Sequence, residues 1–173
     1  MNSIKKSGLS GILTIIILMS VFPVPAIAVN GDIITELDSL EYEPLTGRAH
    51  SIAKVDSDTI VVAYNGDGND GTIKTFDITA SGTISHVATR VFESGIISYP
   101  SFVQVDTDPF AVAYGSPGVG YIKTFDITAS GTISTAIDTE QHETAAQAMW
   151  NSFVQVDSGT YALAYKGVDD DGF

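Results

Sequence analysis

Two short loops carry the densest oxygen chemistry in this chain. Asn65, Asp67, Asn69 and Asp70 place oxygen side chains at near-alternate positions before Gly71, and Asp169, Asp170 and Asp171 set carboxylates in a row before Gly172. Alternating oxygen ligands ahead of a glycine suit a hard cation, and calcium loops use such a spacing. However, the bidentate glutamate that closes an EF-hand loop is missing, and the corresponding turn of the middle copy, Gly115-Ser116-Pro117-Gly118-Val119-Gly120, has no carboxylate. Asn, Asp and Gly are also the residues that tight hairpin turns select. Turn chemistry is the preferred reading of both loops, and calcium is the one cofactor the sequence raises.

Aromatic rings give a second candidate. Tyr99 and Trp150, the only tryptophan, occupy equivalent places at the end of a linking segment where the first copy has Ala49. Rings exposed there could stack on sugars, and Glu140 and His142 on the same stretch as Trp150 complete a candidate ligand-binding face. The simpler reading, that the rings cover the end of a core, is preferred because aromatic side chains bury large apolar areas. Signatures of catalysis are thin. His50, His86 and His142 fall in unlike contexts with no HExxH spacing, and neither a G-x-S-x-G elbow nor a glycine-rich phosphate loop occurs. No catalytic residue is assigned.

These loops hang on a repeat. SIAKVDSDTIVVAY begins at Ser51, SFVQVDTDPFAVAY at Ser101 and SFVQVDSGTYALAY at Ser152, and IKTFDITASGTIS occurs after both Thr72 and Tyr121. In Phe110-Ala111-Val112-Ala113-Tyr114 large residues alternate with alanines, which is strand grammar with bulk on one face and small side chains on the other. Small residues let a second sheet approach, so this strand is expected to pack on both sides. No helical period appears after the first 28 residues. Tight turns join SFVQV to AVAY, AVAY to IKTFDI, and IKTFDI to GTIS; the longer connections are residues 42–50, 94–100 and 141–151. Strands joined by tight turns are antiparallel neighbours, so each repeat predicts a four-stranded meander.

Four antiparallel strands in about fifty residues, repeated head to tail, match a β-propeller blade. Sandwich modules need about a hundred residues, and solenoid repeats are shorter with parallel strands. The predicted fold is all-β, a partial β-propeller, with an open arc of tandem β-meanders as the alternative. The AY…DG-IKTF-I strand pair resembles the propeller-like repeat proteins of prokaryotic cell surfaces over residues 31–173, a resemblance that implies a surface-exposed scaffold. Loop ends alternate in such a blade. The VDSDT, VDTDP and VDSGT turns and both TASG turns share one nearly constant end, while the varied loops share the other, and variable loops on a rigid scaffold are the expected binding face.

The predicted organisation is a signal peptide (1–28), a lone N-terminal strand and link (29–50), blade 1 (51–93), a link (94–100), blade 2 (101–140), a link (141–151) and an incomplete blade 3 (152–173). Lys5 and Lys6, the apolar run ILTIIILMSVF and the Ala26-Ile27-Ala28 triplet give a secretory leader with cleavage after Ala28. A retained anchor is the competitor, but that run is about half the ~20 residues a spanning helix needs. The net charge is -13, and loss of Lys5 and Lys6 deepens it. So acidic a surface repels phosphate backbones and anionic lipid, which excludes nucleic acid as an expected partner. No cysteine is present, so disulfides and thiolate chemistry are excluded. The strand phase, beginning on a fourth strand at 31–41 and stopping before a third IKTFDI, predicts a truncated reading of a longer protein, with self-association possible through open strand edges. The expected function is a secreted or cell-surface binding or scaffold module for a glycan or protein, without catalysis. A fragment of a polysaccharide-active propeller enzyme, with its catalytic residues elsewhere, is the alternative.

Overall fold

The computed structural model describes residues 37–173, so the predicted leader and residues 31–36 of the lone strand lie outside it. Ten strands follow, all paired antiparallel. The first repeat is β1 (Arg48–Lys54), β2 (Thr59–Asn65), β3 (Gly71–Ile78) and β4 (Ile84–Glu93); the second is β5 (Ser98–Gln104), β6 (Pro109–Ser116), β7 (Val119–Asp126) and β8 (Asp138–Glu143). Each forms a four-stranded sheet in sequence order. In the third repeat β9 (Met149–Asp157) pairs with β10 (Thr160–Lys166). The fold is all-β, built from antiparallel four-stranded repeats. Among the described residues no ring closes, which is consistent with an open arc of tandem β-meanders. None of the described helices is long and apolar enough to cross a membrane.

The alternation in the second strand of each repeat dictates how the sheets join. Val61 and Ala63, the small face of β2, share one core cluster with Phe110, Val112 and Tyr114, the large face of β6. Bulk from one sheet fills the hollow that small residues leave on the next, the complementarity that dense packing requires. Phe110 to Tyr114 are all 0–2% exposed, so β6 is covered on both faces as its sequence predicts. The other face of β2, with Val62 and Tyr64, is covered by Tyr42, whose ring meets Tyr64 edge-on at 4.9 Å. In β10 the large face is half-buried while Ala162 and Ala164 are exposed.

Polar ties fix the stack. Ser51 Oγ accepts the Phe102 N–H at 2.9 Å and Ser101 Oγ accepts the Phe153 N–H at 2.9 Å, so the serine opening each repeat bonds the inner strand of the next. The TASG turn of the second repeat docks on the first sheet: Thr75 Oγ1 donates to Gly131 O at 2.6 Å and Thr59 Oγ1 to Ala129 O at 2.9 Å. These bonds satisfy the hydroxyls of Thr59 and Thr75, which burial would otherwise leave unpaired.

Two features differ from the sequence reading. GTIS is not the body of the fourth strand: β4 starts at Ile84, and in the second repeat Ile133 forms only an isolated bridge to Ile127 before β8 begins at Asp138. The turn glycine and the Ser134 detour, whose N–H and Oγ both bond Asp126, interrupt the ladder there. Residues 37–41, the described part of the predicted lone strand, carry no strand; Asp38 Oδ2 instead accepts the Ile84 N–H at 2.9 Å.

Candidate functional site

The loop end of the arc is built on a bulge that recurs in every repeat. Ala49, Tyr99 and Trp150 sit near the start of β1, β5 and β9 with φ of 50°, 48° and 50°. The pairing register shifts across this point in the first two repeats, between Arg48 and Ser51 and between Ser98 and Ser101. A left-handed backbone is uncommon for a bulky residue, and a bulge re-aims the side chain it carries. Because neighbouring inner strands lie side by side, the bulges bring Tyr99 and Trp150 together, their ring centroids 5.5 Å apart and tilted by 45°. Trp150 is 56% exposed, and the Lys166 ammonium lies 5.0 Å from its centroid. An open hollow of ≈ 490 Å³ beside Tyr99 is lined by Arg48, Asn65, Asn69 and Ile96, and one of ≈ 380 Å³ adjoins Trp150.

His142 and Glu140 divide. Glu140 is exposed on β8 opposite Ile122. The His142 ring meets Tyr165 edge-on at 4.8 Å. Burial holds its imidazole below its usual pKa, with Glu143 opposing the shift.

The oxygen-rich loops are turns. Asn65 is buried and donates from Nδ2 to Ile97 O at 2.6 Å, while Asp70 Oδ1 accepts from Thr72 Oγ1 at 3.0 Å. Asp67 and Asn69 belong to a short 3-10 turn, Asp67–Asn69, closed by Gly66 N–H to Asp70 O at 2.8 Å. The third repeat uses the same turn at Val168–Asp170, closed by Gly167 N–H to Asp171 O at 3.0 Å, with Asp169 and Asp170 left-handed and Asp170 paired with Lys166. Among the described residues no three carboxylate or imidazole groups converge to hold a metal ion. The calcium reading gains no geometry from these loops. A further hollow, ≈ 870 Å³, lies at the opposite end between the turns of the second and third repeats. Its carboxylates are committed locally, Asp106 Oδ1 to the Thr107 N–H and Asp157 Oδ1 to the Ser158 N–H.

One group of residues escaped the sequence reading. Glu43, Glu93 and Glu143 recur at a fifty-residue period, in or at the start of connections that otherwise vary. Glu93, the last residue of β4, reaches across to the second sheet: its Oε2 accepts from Tyr114 Oη at 3.2 Å and pairs with Lys123 Nζ at 3.1 Å, while Oε1 accepts the Gly95 N–H. Lys123 also donates to Phe92 O at 2.8 Å and lies 5.8 Å from the Tyr114 ring centroid. Glu43, Tyr64 and Lys74 repeat the arrangement, with Tyr64 Oη donating to Glu43 Oε2 at 3.1 Å and Lys74 bonding Tyr42 O. Burial, then the neighbouring glutamate, raises the Tyr64 and Tyr114 phenols far above their usual value. This clasp ties the second repeat to the first, and the first repeat to the segment that precedes it. No family model, curated protein or solved structure matches the chain.

Proposed function

We propose that this chain is a secreted or cell-surface binding module of repeated β-meanders whose working face is the loop end bearing Tyr99 and Trp150, and whose ligand is a neutral glycan. The observation that carries this reading is the shared left-handed bulge, which holds two aromatic rings side by side at 5.5 Å on an open surface. Backbone held in a sparsely populated region is a feature from which function is reasonably inferred. A pair of rings meets the apolar face of a sugar without needing charge, and a chain of net charge -13 disfavours acidic polymers. The leader pattern over residues 1–28 supports export, where such polymers are met. The stacked four-stranded meanders supply the rigid support that positions variable loops.

Trp150 is the only tryptophan, so its fluorescence reports the site directly. Titration with a panel of neutral oligosaccharides is expected to shift or quench that emission saturably, and Tyr99→Ala is expected to weaken the response. An unchanged spectrum across the panel, or equal affinity of the parent and Trp150→Ala by calorimetry, sinks the proposal.

A further inference from the structure

The hollow beside Tyr99, at the join between the first two repeats, is lined by polar residues that break the repeat. Asn65 pairs with Arg48 across the first two strands as Gly115 pairs with Ser98, so the asparagine stands where the second repeat has glycine. In the second join the connecting segment packs straight onto that glycine, and a Cβ there would lie 1.9 Å from Ala148 O. In the first join the equivalent carbonyl is held off by a side chain. Asn65 Nδ2 donates to Ile97 O at 2.6 Å, while the Ile97 N–H bonds Asn69 O at 2.9 Å, as the Ala148 N–H meets Val119 O at 3.4 Å. The other half of the amide has no such role. Asn65 is 8% exposed, and its Oδ1 is buried with no hydrogen-bond partner among the described residues. Buried polar atoms without a partner are rare, and each asks for an explanation.

We propose that this hollow of ≈ 490 Å³ is a subsite for a single neutral sugar ring, held by two neighbouring hydroxyls. Arg48 lies directly opposite Asn65, and residues opposite each other on antiparallel strands project from the same face of the sheet. Arg48 is exposed, and no carboxylate pairs with it among the described residues. A pure donor thus stands beside an unpaired acceptor. A carboxylate ligand would satisfy Arg48 but set its lone pairs against Asn65 Oδ1, and an ammonium would satisfy Oδ1 but meet the guanidinium. A hydroxyl pair suits both, one O–H donating to Asn65 Oδ1 and the neighbouring oxygen accepting from Arg48. Tyr99 and the exposed Ile96 give the hollow an apolar wall for the C–H face of the ring. Its volume falls within the range of small-molecule sites. The ligand class rests on the glycan reading of the Tyr99 and Trp150 face; the hollow adds the place and the polarity of one subsite.

The test offers methyl glycosides of the neutral hexoses to the full chain, followed by saturation-transfer NMR and calorimetry. Saturable binding of at least one is expected, weakened at least about tenfold in Asn65→Gly and in Arg48→Gln, since a bond to a buried acceptor or from a charged donor is lost in each. Asn65→Gly installs the residue that the second join already uses. Arg48 is exposed, so Arg48→Gln decides the matter even where Asn65→Gly fails to fold. Absence of saturable binding, with water alone meeting the amide, overturns the proposal, as does parent-like affinity in Arg48→Gln. The two readings fail separately. Oligosaccharides that shift Trp150 emission equally in the parent and both variants leave the aromatic face standing and remove the hollow; glycoside binding lost in both variants while Trp150 stays silent to oligosaccharides upholds the hollow and removes the ring pair.

Discussion

Glu93→Gln is the sharpest single perturbation of the join between the first two sheets. The substitution keeps the shape and removes the charge, so one oxygen that accepts from Tyr114 at 3.2 Å and Lys123 at 3.1 Å becomes, in either amide orientation, a weaker acceptor or a misplaced donor. Two charge-assisted bonds are at stake, each worth about 1.5–3 kcal/mol when well shielded. The site is partly open, with side-chain exposures of 15% for Lys123 and 27% for Glu93, so screening cuts the sum and the expected loss is about 2 kcal/mol. With a urea slope of about 1–3 kcal/mol/M, the unfolding midpoint should fall by about 1 M. Pairing the change with Lys123→Met gives the coupling: side chains in direct contact should show at least about 0.5 kcal/mol of non-additivity. A pH signature accompanies it. Burial alone pushes the Glu93 carboxyl up, but the Gly95 N–H, Lys123 and Tyr114 outweigh that, holding it below its usual 4.5. A folded pKa below the unfolded one means stability present above pH 4.5 and lost as pH falls through the folded value, and Glu93→Gln should flatten that acid limb. A midpoint unchanged within error, together with additive single substitutions, would refute the reasoning that the clasp holds the sheets.

Gly115→Ala should destabilise by about 1–3 kcal/mol, because overpacking must be relieved by moving backbone. The new methyl would lie 1.9 Å from Ala148 O, and thermal unfolding of the variant checks it. His142 gives a second pH dependence of known sign. Burial holds its folded pKa below 6.5, so the neutral ring is favoured in the fold, and stability is expected to fall as pH drops below about 6.5. Chemical denaturation at stepped pH should show that slope reduced in His142→Phe.

The strand pattern and turn lengths carried most of the architecture. Alternating bulk and alanine in Phe110 to Tyr114 announced a strand buried on both faces, because only a second sheet can cover both sets of side chains. The weak point was GTIS, where good β residues sit just after a turn and the ladder forms only partly, since pairing depends on register and not propensity alone. Tyr99 and Trp150 were legible as equivalents, yet the positive φ that brings their rings together has no residue signature: Ala, Tyr and Trp all occupy it. Glu43, Glu93 and Glu143 were legible and overlooked. Their surroundings differ, and the signal was the near-constant spacing from glutamate to tyrosine in all three copies, with a lysine at a similar further spacing in the first two.

The pairing of small face against large face gives each repeat a direction. One side of a sheet always receives and the other always inserts, so the contact is head to tail and never self-complementary. Such a join is the same wherever it is made. An in-frame gain or loss of one fifty-residue cassette therefore preserves every interface type in the stack, and recombination between two near-identical IKTFDITASGTIS segments is a ready route to it. The length of the array is thus free to change over generations while the chemistry of its joints stays constant.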